Sequence, residues 1–169
     1  KKIGEEAFMP FAVGGGISSI NQIRSILSNG AEKIVLNTYA VCNPNFVKDA
    51  SEIFGSQAII VSLDVKRDLS GHKVYTHSGT INSGFYALDI AKKFELFGAG
   101  ELIINSIDKD GTMEGYDLEI IKKIAQSVKI PVVSLGGAGS LSDLSKAIKS
   151  GAAAVAAGSI FVYSGKNRG

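Results

Sequence analysis

The stretch Pro10-Phe11-Ala12-Val13-Gly14-Gly15-Gly16-Ile17-Ser18-Ser19 returns 121 positions later as Pro131-Val132-Val133-Ser134-Leu135-Gly136-Gly137-Ala138-Gly139-Ser140. Without a gap, Ser19 matches Ser140, Ile20 matches Leu141, Ile23 matches Leu144, Leu27 matches Ile148, Gly30-Ala31 match Gly151-Ala152, and Thr38 matches Ser159. A unit doubled over this length is an architectural repeat. Each copy reads as an apolar strand after proline, a glycine turn, an amphipathic helix, and a second apolar strand that ends on small polar residues.

Glycine stands where backbone must come close to a ligand, and the amides at a helix start carry partial positive charge. The repeat therefore predicts two phosphate sites, at Gly15-Gly16 and Gly136-Gly137, completed by Asn37-Thr38 and Gly158-Ser159 at the following strand ends. A substrate with a phosphate at each end would span them. The plainer alternative is a pair of turns that only join strand to helix.

Working outward, strands are expected near 11–13, 34–36, 58–63, 102–104, 132–135 and 153–156. Helices are expected over 18–29, 45–54, 86–97, 118–127 and 141–150. Apolar strand runs separated by amphipathic helices indicate a parallel sheet covered on its faces, and the repeat favours a closed (β/α)8 (TIM) barrel over an open sheet. Six strands do not close such a barrel. Lys1 to Ala7 resemble the end of a helix, and the chain stops soon after its last strand, so a barrel lacking its first two strand-helix units and its last helix is expected.

With 169 residues, 45% hydrophobic and 20% charged, residues 1–169 are read as one globular domain with ample apolar material for a core. A net charge of +2, with no basic stripe interleaved with aromatics, argues against nucleic acid as partner. No secretion signal and no bilayer-length apolar run is seen, so a cytosolic location and no membrane partner are expected. Cys42 is the sole cysteine, which excludes an internal disulfide and gives metal ligation none of its usual clusters. His72 and His77 fall in a polar stretch with no metal spacing, and surface or hairpin roles are expected for both. No metal and no cofactor is expected.

In a barrel of this kind the working residues stand at the carboxyl ends of strands. Asp64 closes the run Ile59-Ile60-Val61-Ser62-Leu63; it reads as a general acid or base, or else as a salt-bridge partner of Lys66 or Arg67, or a cap for a following hairpin. Asp110-Gly111-Thr112 could offer backbone amides and a hydroxyl to a phosphate, whereas Asp117 reads as a helix cap. The alternating acids from Asp108 onward lack the glutamate of a calcium loop. Phe8, Phe46, Phe54, Phe94 and Phe97 are expected to pack helices onto strands, and Gly98-Ala99-Gly100 to stop a helix.

At Val13-Gly14-Gly15-Gly16-Ile17, Asn37-Thr38, Phe54-Gly55-Ser56-Gln57, Asp64-Val65-Lys66, Gly98-Ala99-Gly100-Glu101, Asp108 to Asp117 and Gly136-Gly137-Ala138-Gly139, the chain resembles the cyclase subunit family of imidazole glycerol phosphate synthase. The resemblance implies a (β/α)8 barrel that binds a ribulosyl carboxamide ribonucleotide through both phosphates. It also implies a glutaminase partner whose ammonia crosses the barrel, joins the substrate, and yields imidazole glycerol phosphate and a carboxamide nucleotide. Two aspartates act as acid and base in the family; Asp64 matches one of them, and the other belongs on a strand that precedes this chain.

By the same resemblance, Gly15, Gly16, Asn37 and Thr38 hold one phosphate. Asp110, Gly111, Gly136, Gly137, Gly158 and Ser159 surround the other, with Asn105 also at the substrate. Lys33 and Glu101 match charged residues at the ammonia entrance, their alternative role being an ordinary ion pair at the barrel base. Departures from the histidine-pathway pattern are Asn105 for a threonine, Leu135 for a serine, and Phe161-Val162-Tyr163 without a histidine. Those departures, with Ser164 to Gly169, resemble a paralogous branch that accompanies a glutaminase and a sugar amidotransferase in surface-polysaccharide synthesis. A related sugar-phosphate isomerase is a third reading, fitted less well by the segments 54–57 and 108–117.

Overall fold

A computed structural model describes residues 9–163; Lys1 to Ala7, Phe8 and Ser164 to Gly169 lie outside the described residues. Among the described residues six parallel strands run in the order β1 (Ala12–Gly14), β2 (Lys33–Leu36), β3 (Ile59–Asp68), β6 (Glu101–Ser106), β7 (Val132–Leu135) and β8 (Ala154–Val155). An antiparallel hairpin, β4 (Gly71–Thr76) and β5 (Ile81–Tyr86), continues from β3. Among the described residues β1 and β8 are the two edges of this sheet, so the six strands form an arc of a barrel.

The helices are α1 (Ile20–Ser28), α2 (Thr38–Cys42), α3 (Asn45–Phe54), α4 (Ala87–Leu96), α5 (Leu118–Ala125), α6 (Leu141–Lys149) and α7 (Ser159–Val162). No helix among the described residues is long and apolar enough to cross a membrane. The short helices α2 and α7 have no counterpart in the sequence reading, because four or five residues show no measurable helical period. The helix expected from residue 86 begins one residue later, since Tyr86 closes β5.

The repeat survives in atomic detail. Ser19 and Ser140 both cap helices, accepting from the backbone amides of Gln22 and Asp143 at 3.3 Å each. These are the serine N-caps that leave fewest helix amides orphaned. At the other helix end, Ala31 N–H donates to Ile26 O and Ala152 N–H donates to Ala147 O, again 121 positions apart. The chain reversals of the two halves are the same construction.

Cross-strand partners in a parallel sheet share a face, and side chains alternate along each strand. Pairing Val61 with Leu102 and Ile104 with Ser134 puts Ile34, Leu36, Ile59, Val61, Leu63, Leu102, Ile104 and Val132 on the helix side. All of these belong to one buried cluster with Ile23, Val47, Ile90, Phe94, Ile120 and Ile124 from the helices. Each such side chain contributes about 1.5–3 kcal/mol on burial. Phe46 and Phe94 are buried and Phe54 and Phe97 pack against the same cluster, as expected of the aromatics.

The opposite face carries the polar residues. Asp64 pairs with Asn105, Asn105 with Leu135, and Ile60 with Glu101, so these side chains project away from the helices. β6 shows the consequence as strict alternation: Leu102, Ile104 and Ser106 are buried, while Glu101, Ile103 and Asn105 are half-buried. The parallel sheet with helices on one face agrees with the barrel expected from the repeat, and along β3 the opposite face is buried as well, at Ile60, Ser62 and Asp64.

Candidate functional site

Both glycine turns follow the carboxyl ends of parallel strands of one sheet, at the same rim, with β2, β3 and β6 between them. Gly15 and Gly16 have φ of 117° and 64°, Gly136 and Gly137 of 90° and 104°, a region open to glycine and strained for most other residues. None of these four amides has a backbone acceptor among the described residues.

The two turns are otherwise unlike. A Cβ on Gly15 or Gly16 would meet nothing within 4 Å, whereas one on Gly137 would strike Gly115 O at 2.3 Å. Gly115 N–H donates to Gly137 O at 2.7 Å, fastening the second turn to the loop between β6 and α5. The same Gly-Gly pair therefore gives an open turn in one half and a backed one in the other.

Gly15, Gly16, Asn37, Thr38 and Asp64 line a cavity of about 580 Å³ at the strand ends, together with Ile17, Tyr39, Cys42, His77 and Ser78. Its floor is an acid held by two amides. Asn37 Nδ2 donates to Asp64 Oδ2 at 3.0 Å, and Asn105 Nδ2 donates to Asp64 Oδ1 at 2.9 Å. Two donors on two oxygens match an ionised carboxylate, which only accepts. The carbonyl oxygens of the same amides, Asn37 Oδ1 and Asn105 Oδ1, are buried without a partner. Such groups are costly unless something else satisfies them.

Asp64 is not the end of its strand, as the sequence suggested, since β3 continues to Asp68 and pairs Asp64 with Tyr75 of the hairpin. Neither Lys66 nor Arg67 is its partner: Lys66 Nζ lies 3.9 Å from Asp108, and Arg67 lies 2.8 Å from Glu119. Both salt-bridge alternatives for Asp64 are thereby removed. Side chains alternate along the strand, so Asp64 and Lys66 share a face while Arg67 takes the other.

The remaining candidates fall outside this cavity. Asp110 and Gly111 lie exposed in the β6–α5 loop, Gly158 precedes α7, and Ser159 opens it. A Cβ on Gly136 would lie 3.0 Å from Asn105 Oδ1, so this turn abuts the amide that holds Asp64. Lys33 and Glu101 occupy the amino ends of their strands, at the opposite rim, in a 2.6 Å ion pair.

Asp117 is the cap of α5 that its position indicated, accepting from Ile120 N–H at 3.3 Å. Its second oxygen lies 3.0 Å from His72 Nε2. His72 does stand in the hairpin, on β4, but is only 7% exposed, which corrects a surface role. His77 is exposed at the hairpin turn. Its place beside the cavity was not foreseen; the only local signal was the polar, turn-forming run His77-Ser78-Gly79.

Residues 1–168 match the histidine biosynthesis protein family. The imidazole glycerol phosphate synthase subunit HisF of Alkaliphilus metalliredigens is 46% identical over 165 residues, covering 96% of this chain and 66% of that protein. The same subunit from Thermococcus onnurineus is 45% identical over 163 residues, covering 96% and 65%. That of Endomicrobium trichonymphae is 47% identical over 165 residues, covering 96% and 63%. The chain thus spans just under two thirds of the length of these curated relatives.

Proposed function

The chain belongs to the histidine biosynthesis protein family, and we propose that it is the greater part of a cyclase subunit of the imidazole glycerol phosphate synthase kind. In this reading it works in the cytoplasm with a partner glutaminase whose ammonia enters near Lys33 and Glu101. The ammonia crosses the barrel and meets a ribulosyl carboxamide ribonucleotide held by its two phosphates. The products are imidazole glycerol phosphate and a carboxamide nucleotide.

The observation that carries the reading is the Asp64 carboxylate, fixed by Asn37 and Asn105 in the cavity that Gly15 and Gly16 also line. A fixed carboxylate beside bound substrate can take or return a proton without reorganising in the step. The open Gly15-Gly16 amides supply donors for one phosphate and the Gly136-Gly137 turn, with Asp110, Gly111, Gly158 and Ser159, supplies the surroundings of the other. Restraint at both ends places the reacting carbon of the substrate over Asp64, the kind of positioning that lowers a barrier entropically.

A second reading, the polysaccharide-branch paralogue, is favoured by the layer around Asp64. Asn105 occupies one carboxylate oxygen, and its cross-strand partner Leu135 brings an apolar side chain to the same face. One assay of the full-length protein with its own glutaminase separates the two. Release of imidazole glycerol phosphate from the bisphosphate nucleotide supports the cyclase, whereas glutaminase binding with no imidazole product overturns it.

A further inference from the structure

The cavity at the strand ends has a charge problem. Among the described residues that line it Asp64 is the only carboxylate, and none is a lysine or arginine. A phosphate placed there meets neutral amides and hydroxyls, and among the described lining residues the one side chain able to present a positive charge is His77.

His77 is held in place by the backbone. It has φ of 52° and Ser78 has φ of 56°, two successive left-handed residues that are not glycine. Such a residue persists only where surrounding contacts impose its conformation. Two hydrogen bonds impose it here. Thr80 N–H donates to Thr76 O at 3.1 Å, closing the turn, and His77 N–H donates to Thr38 Oγ1 at 3.0 Å, bridging the turn to the first residue of α2. Because that bond fills an acceptor position on Thr38, the threonine keeps its hydroxyl hydrogen for a ligand.

The ring itself is half engaged. Thr76 Oγ1 donates to Ile81 O, so the same oxygen is free to accept from His77 Nδ1, 3.1 Å away. Nε2 has no hydrogen-bond partner among the described residues. Hydrogen on Nδ1 fixes which nitrogen is left to act, and in the imidazolium form Nε2 becomes a charged donor. Its neighbours are Thr38, Thr76 and Ser78, with Asp64 as the charged group facing it from β3 across the cavity.

We propose that His77 is a substrate-binding residue, its Nε2 contacting an oxygen of the phosphate monoester seated on the Gly15-Gly16 turn. The hairpin is then part of the substrate site: the strain at its turn places an imidazole, able to take up a proton, among described lining residues whose other donors are neutral. This rests on the phosphate reading of the Gly15-Gly16 turn and adds the side chain that neutralises the anion.

The test is a titration of the full-length protein with inorganic phosphate, at fixed pH and ionic strength with chloride as control anion, followed through the imidazole resonances. The signals of His77 and His72 are assigned from His77→Asn and His72→Gln; asparagine tolerates the left-handed backbone at the turn. Phosphate should shift the His77 signal saturably and leave that of His72, buried against Asp117, in place. His77→Asn should bind phosphate about tenfold more weakly while His72→Gln binds as the parent does. Saturable phosphate binding with a silent His77, or with unchanged affinity in His77→Asn, overturns the proposal and leaves the phosphate turn standing. Absence of any phosphate binding overturns both.

Discussion

Asn105 Nδ2 donates to Asp64 Oδ1 at 2.9 Å, from directly across the β3–β6 pairing, while its own Oδ1 has no partner. Asp64→Asn would set an amide against two amides. Rotation of Asn105 about its last torsion turns its unpartnered oxygen toward the new side chain, so the hydrogen bonding is recoverable. The variant should therefore unfold within about 1 kcal/mol of the parent in a denaturant titration. Turnover with ammonia should nonetheless fall by about a hundredfold to ten-thousandfold. Near-parental turnover would remove Asp64 from the chemistry.

The two glycine turns should respond differently to the same substitution. At Gly137 a methyl meets Gly115 O at 2.3 Å and Lys109 Cβ at 2.9 Å, whereas at Gly15 it meets nothing within 4 Å. Gly15→Ala pays only for its backbone conformation, about 1 kcal/mol, while Gly137→Ala adds overpacking of about 1–3 kcal/mol. Equal denaturation midpoints for the two variants would contradict the backed geometry of the second turn.

His72 and Asp117 tie the hairpin to the start of α5 through a contact that is almost fully buried on the histidine side. Loss of either partner strands the other, which costs about 1–3 kcal/mol. A double-mutant cycle with His72→Phe and Asp117→Ala should give a coupling of about 1 kcal/mol or more, because the partners touch. Strict additivity would show that the 3.0 Å contact is not energetically used.

Asp143 is held below its ordinary value of 3.8 first by the Ser140 hydroxyl, then by the Gly139 amide and Lys146. A carboxylate depressed on folding adds stability that is fully present above its unfolded value and is lost as pH falls through the folded one. Stability of the parent should thus decline on acidification below about pH 4. Asp143→Asn should flatten that part of the curve when denaturant midpoints are measured from pH 2 to 6. An unchanged acid limb would show that the Ser140 contact does not discriminate between the charged and neutral forms.

Lys33 and Glu101 form their 2.6 Å pair with the lysine side chain 42% exposed. Solvent screens such a pair, so Lys33→Met should change stability by about 1 kcal/mol or less. If the pair guards an ammonia entrance, the same variant should lower glutamine-dependent turnover in the complex more than turnover with free ammonia. Equal loss of both activities would reduce Lys33 to an ion pair at the rim.

The amino-acid sequence by itself determined the repeat, the alternation of strand and helix, the parallel sheet and the rim at which the glycine turns lie. These are local quantities: hydrophobic period, capping serines and glycine positions are set by neighbours along the chain, and Ser19 and Ser140 cap their helices because nothing distant competes. Asp64 was legible as a candidate for the same reason, as a lone acid in an apolar run. Tertiary structure alone decided what that acid touches. Asn37 stands 27 residues from Asp64 and Asn105 stands 41, and only the side-by-side pairing of strands far apart along the chain brings both amides to one carboxylate. Register likewise carried β3 past Asp64 into the hairpin, buried His72 beside Asp117 from 45 residues away, and brought His77 to Thr38. Those contacts arise where separate segments meet across space, and the sequence lists the partners without saying which of them will meet.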